Sequence, residues 1–223
     1  MATARRIVKW TIIGLVTAFV ILVAGLFIFS GSLVGPAPAP LQLPQLSTAT
    51  KSASAASPDG TWIAGDGSLA GFRVQESFLV QSGTIVGRTS AVTGSLVISH
   101  NEISSGSFQV DLSKLTIGGK QNASFFQILE TSKYPDATIT LTKPIVFNSI
   151  PTNGQTISST ATVSLAMHGI THAVTLTVMA RSNGSVLEAT GSVPILASDW
   201  SIKSPFGIHN NDLIEFLVVL RRG

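Results

Sequence analysis

His168 and His172 stand four residues apart. On a helix that spacing would put two imidazoles on one face, as a metal site needs. They lie instead in residues 163–178, VSLAMHGITHAVTLTV, where apolar and polar residues alternate as in strands. A two-residue loop at Gly169-Ile170, with glycine first, fits a type II′ hairpin turn, whose first loop residue takes φ > 0. Met167 then faces His172, Leu165 faces Val174 and Val163 faces Leu176, all on one apolar face. The two histidines fall on opposite faces, so one ion cannot easily bind both. His168 reads as an exposed turn residue. His172 reads as the end of the apolar face, where it either meets a ligand headgroup or takes a packing or structural role.

Other chemistry is thinly represented. A hydrolase needs a nucleophile, a base and an orienting acid in one site. The chain has no G-x-S-x-G elbow and no H-E-x-x-H stretch. Gly118-Gly119-Lys120 has neither the spacing nor the Ser/Thr of a P-loop. Asp199-Trp200 reads as the start of a strand, and Glu215 alternates with Phe216 onto the opposite face. Asn122-Ala-Ser and Asn183-Gly-Ser are formal sequons that read as chance matches. With no cysteine, thiolate metal sites, disulfides and a lipidated N-terminal cysteine are all excluded. The expectation is a protein that is not an enzyme and has no metal or cofactor.

These residues need a scaffold, and the composition describes one. Only 11% of residues are charged and the mean hydropathy is +0.43. Four of the 14 Lys/Arg (Arg5, Arg6, Lys9 and Lys51) precede Pro58, whereas none of the 11 acidic residues does. From Pro58 onward the balance is slightly acidic, which argues against a nucleic-acid partner.

Residues 10–29 (WTIIGLVTAFVILVAGLFIF) are uncharged, and as a helix would span roughly 30 Å, a hydrocarbon core. The basic tail 1–9 precedes this stretch and Lys51 is the next charge, which predicts a single-pass anchor at 10–30 in the cytoplasmic membrane. The N-terminus would be cytoplasmic and the remainder extracytoplasmic, or secreted if the segment is a cleaved signal. Residues 31–57 read as a Pro/Ala/Ser linker without core-forming residues. Residues 58–223 read as the folded domain: short alternating runs separated by Asn-Gly, Ser-Gly and Ser-Pro turn signals, the pattern of a sandwich or barrel. Within it, 122–129 (NASFFQIL) has helical spacing and an Asn cap, and reads as a short helix that plugs a barrel end or packs in the core.

From Trp62 onward the chain resembles the YceI-like family. The resemblance rests on SLAGFRV, on Gly87 and Gly94, on GGKQNASFFQILETSKYPDATITL, on the hairpin SLAMHGITHAVTL, and on ASDWSIKSPFGI and DLIEFLVVL, all in the family's order. It departs where Gly67-Ser68 replaces the usual His-Ser, and where Lys120-Gln121-Asn122 replaces an Arg-Asp pair followed by His. The resemblance implies an all-β, extended antiparallel lipocalin-like barrel of about eight strands with a short helix, holding an isoprenoid quinone or polyprenyl-type lipid. The expected ligand-facing residues are Phe72, Val74, Phe108, Val110, Phe125, Leu165, Met167, His172, Val174, Leu176, Phe216 and Val218. Burying one five-carbon isoprene unit contributes roughly 3 to 4 kcal/mol before costs, so several units need no charged contact. The expected partners are thus an apolar lipid and, through residues 10–30, a membrane; a homodimer is allowed. The alternative is a structural or protein-interaction barrel whose own side chains fill its core.

Overall fold

A computed structural model describes residues 37–45, 57–78, 81–203 and 212–223. The segment 10–30 expected to cross a membrane lies outside the described residues, as does most of 31–57. Among the described residues no helix is long and apolar enough to cross a membrane.

The chain from Pro38 onward is one compact unit. Its strands are β1 (Gly60–Ala64), β2 (Leu69–Phe78), β3 (Gln81–Thr89), β4 (Val92–Ser99), β5 (Glu102–Asp111), β6 (Thr116–Ile117), β7 (Asp136–Leu141), β8 (Ile145–Val146), β9 (Ile157–Met167), β10 (Ile170–Ser182), β11 (Val186–Ile195) and β12 (Asp212–Arg222). One helix, α1 (Ala123–Ile128), lies between β6 and β7. β1 and β2 lie end to end along β12, pairing from Trp62↔Arg222 to Arg73↔Leu213. β3 and β4 continue one another in the same way along β2 and β1. Taking each such pair as one long strand, eight antiparallel strands close into an up-and-down barrel, β1 and β12 sealing the ring.

Closure removes the free edges that an open sheet exposes. It also sorts side chains by parity. On β9, Ala161, Val163, Leu165 and Met167 are buried while the residues between them are only half-buried. On β12, Ile214, Phe216, Val218 and Leu220 point inward. The lower end is sealed by Trp62, Ile98 and Leu220, each at most 1% exposed. Trp62 Nε1–H donates to the Pro58 carbonyl at 2.9 Å, and Arg222 lies over its ring.

The upper end is finished by irregular structure. Asn122 caps α1 by accepting from the backbone N–H groups of Ser124 and Phe125, as its position predicts. Asp199-Trp200, expected to begin a strand, belongs to a 3-10 turn (Ala197–Trp200) that packs Trp200 into the core. Its indole N–H donates to the Leu165 carbonyl at 3.2 Å, so the buried ring leaves no polar group unpaired.

The β9–β10 hairpin forms, but its loop is His168-Gly169 and its closing pair is Met167↔Ile170. Both loop residues have positive φ, 52° and 75°, as a type I′ turn requires and a II′ turn does not. Leu165 therefore faces His172 and Val163 faces Val174. Moving the turn by one residue moves each partner by two, so every side chain keeps its face.

Candidate ligand cavity

Inward-facing side chains of β2, β5, β7, β9, β11 and β12 do not fill the barrel. Two adjoining cavities remain, of about 170 and 130 Å³. Native cores contain few voids larger than a water molecule, so a pair of this size is a feature of the fold. The walls are almost wholly apolar, and water in such a site finds few hydrogen-bond partners. They suit an apolar occupant.

The upper chamber is bordered by Phe72, Val74, Val110, Phe125, Leu165, Met167 and Phe216 among others, with α1 and the Ala197–Trp200 turn at its rim. Phe108, Val110, Leu176, Phe216 and Val218 border the lower one. Ala70, Val110, Ile139 and Phe216 touch both, which makes Phe216 and its neighbours a waist between the chambers. α1 is tied to the wall by Phe125, whose ring stacks on Phe72 at 5.5 Å between centroids. Gly87 makes room for this stack, because a Cβ there would lie 2.4 Å from the Phe72 ring.

Two of the expected residues are elsewhere. His172 is exposed and borders neither chamber; its Nε2 lies 3.0 Å from the Asp199 carbonyl and its ring meets Trp200 edge-on at 4.8 Å. It shares the inward parity of β10 but sits beyond the rim of the barrel, against the turn that caps it. Val174 is half-buried in the upper core cluster without bordering a cavity. His168 reverses its expected place: its side chain is 9% exposed and it borders the upper chamber. Tyr134 covers it at 4.7 Å between ring centroids, and Nδ1–H donates to the Trp200 carbonyl at 2.9 Å.

Glu215 has the outward parity expected, yet it is 3% exposed. Arg88 donates to Oε1 at 2.7 Å, Arg73 lies 3.8 Å from Oε2, and the backbone N–H of Leu41 donates to Oε2 at 3.2 Å. Part of the stretch read as a featureless linker thus crosses the outer wall. The carbonyls of Pro38, Ala39 and Pro44 accept from Arg73, Arg88 and Arg181 respectively. Three guanidinium groups thus supply the donors that hold this segment. Composition alone could not reveal those partners, which lie 35 to 137 residues away.

Among the described residues, no group of three His, Asp or Glu side chains could hold a metal ion. Residues 62–220 match the profile of the YceI-like domain. Among solved structures, a polyisoprenoid binding domain from Saccharophagus degradans implicated in plant cell wall breakdown aligns with a TM-score of 0.57 at 15% identity, covering 74% of this chain and 99% of that one. BcnA of Burkholderia cenocepacia aligns at 0.50 with 16% identity, over 68% and 95% of the two chains. A YceI protein of Campylobacter jejuni aligns at 0.50 with 14% identity, over 66% and 90%. At such identities the likeness is one of fold. No curated protein matches the chain.

Proposed function

The chain belongs to the YceI-like family, and from that premise we propose that it is a binding protein, not an enzyme, which holds a long apolar lipid of the isoprenoid quinone or polyprenyl type inside the barrel. The observation that carries this reading is the pair of apolar chambers joined at Phe216. A module that serves only as a scaffold gains nothing from such voids, since each lost packing contact weakens the core. A lipid chain regains those contacts. The barrel fold and the polyisoprenoid binding ascribed to the Saccharophagus degradans domain support the same reading.

We place the barrel on the outer face of the cytoplasmic membrane, carried by residues 10–30, because of the uncharged run and the basic residues before it. Reporter fusions at each end of the full chain test that topology. The lipid reading is tested on the full chain purified from cells in mild detergent, by extracting its lipids for mass spectrometry. A reproducible isoprenoid mass near one per chain is expected. Protein that yields no lipid, and takes up neither quinone nor polyprenyl phosphate, would leave the interaction module as the better account.

A further inference from the structure

The upper chamber is apolar apart from a few side chains. Of its described bordering residues, four carry polar side chains: Thr138, His168, Asp212 and Glu215. Thr138 alternates with the inward-facing Ile139, so its hydroxyl has the outward parity. Glu215 is held on the outer wall by Arg73, Arg88 and Leu41, and Asp212 is already engaged. His168 differs. Its Nε2 is buried and has no hydrogen-bond partner, although its side chain is more than nine-tenths buried. The nearest carboxylate oxygen, Oε1 of the half-exposed Glu130, is 3.7 Å away, beyond a hydrogen bond.

A buried ring nitrogen is ordinarily satisfied, and an exception calls for a reason. The local backbone sharpens the point. His168 holds φ at 52° as the first loop residue of the type I′ turn, which fixes where its ring leaves the backbone. The hydrogen bond to Trp200 fixes the ring's orientation. A carbonyl can only accept, so the proton is on Nδ1, and in the neutral ring Nε2 presents a lone pair. Its complement is a hydrogen-bond donor at the end of an apolar chain.

We propose that His168 Nε2 accepts a hydrogen bond from a hydroxyl on the head of the bound lipid, so that the barrel selects hydroxyl-headed isoprenoids over ethers and hydrocarbons of the same length. This rests on the lipid-binding reading above. One hydrogen bond to an otherwise unsatisfied buried group corresponds to about tenfold in affinity.

The test compares geranylgeraniol with geranylgeranyl methyl ether on the full-length wild type and on His168→Phe. The expected result is about tenfold tighter binding of the alcohol by wild type. In the variant the alcohol should lose its advantage over the ether, the ratio of the two affinities being the quantity read. Should His168→Phe not fold, the wild-type comparison stands alone, joined by the imidazole ¹⁵N shift of His168, which should move with the alcohol and not with the ether. Equal binding of both probes by wild type would overturn the role of His168 while leaving the lipid reading intact. Binding of neither would overturn the lipid reading and this inference with it. A geranylgeranyl phosphate probe that, fully ionised at alkaline pH, binds more tightly than the alcohol and loses that advantage in the variant would overturn the acceptor assignment, because the dianion has no proton to donate to Nε2.

Discussion

The rings of Phe72 and Phe125 stack with an interplanar angle of 19°, and this contact joins α1 to the β2 wall beside the upper chamber. α1 has six residues, too few to be stable alone, so its position depends on such tertiary contacts. Phe125→Ala should lower stability by about 1 to 2 kcal/mol, combining lost burial of a half-buried ring with the aromatic pair term. The more informative effect is kinetic: bound lipid should dissociate faster as the helix loosens. An unchanged off-rate in a folded variant would mean that lipid does not leave past α1.

Gly71 and Gly83 give a matched pair on neighbouring strands. A Cβ at Gly71 would lie 1.9 Å from the Gly87 carbonyl oxygen, whereas one at Gly83 meets nothing within 4 Å. Gly71→Ala must push β2 and β3 apart and should cost at least about 2 kcal/mol or prevent folding. Gly83→Ala should be neutral or stabilise by about 0.5 kcal/mol through the unfolded chain. Denaturant melts of the two variants decide the matter, and equal midpoints would contradict the close strand approach.

Occupancy of the lower chamber can be probed by filling it. Ala161 is 3% exposed and borders that chamber. Ala161→Phe directs a phenyl ring into the void, so the usual overpacking cost of about 1 to 3 kcal/mol should be reduced. Lipid extracted from the variant should be shorter than that from wild type by the length the chamber accommodated. An unaltered lipid profile would confine the ligand to the upper chamber.

What the sequence made legible follows from the range of the interactions. Period-two alternation reports which face a residue takes, and it placed Phe72, Val110, Leu165, Leu176 and Phe216 on the cavity wall. It does not report where a strand leaves the barrel, and so His172 carries inward parity while standing exposed beyond the rim. Nor does local pattern choose between two turns whose registers preserve the same faces. Here His168 takes the first loop position with φ positive, against its intrinsic preference. Trp200, 32 residues away, secures it through the Nδ1 hydrogen bond. Tyr134 covers the turn so closely that a Cβ on Gly169 would lie 2.9 Å from its ring. Both are tertiary partners, invisible to a reading of residues 163–178.

Outward parity held for Glu215, but parity does not report whether anything covers an outward residue. The segment at 38–44 does, and the Arg73–Glu215–Arg88 cluster beneath is screened from water. Removing one partner from a buried ion group leaves the others uncompensated, at about 3 to 5 kcal/mol. Glu215→Gln keeps the shape and removes the charge, so it should lose stability of that order even though it touches no apolar core. Leu41 reports on the segment itself, because its amide N–H donates to Glu215 Oε2. In hydrogen exchange the Leu41 amide should be protected in the wild-type chain and exchange faster in Glu215→Gln, where the acceptor has lost its charge. Leu41→Pro removes that donor together with the leucine side chain and some backbone freedom, and should cost at least about 1 kcal/mol in the wild-type background. In Glu215→Gln the same change should cost less, giving a non-zero coupling in the double-mutant cycle. Additive losses with an unprotected Leu41 amide would show that the segment lies on the wall without being held by Glu215.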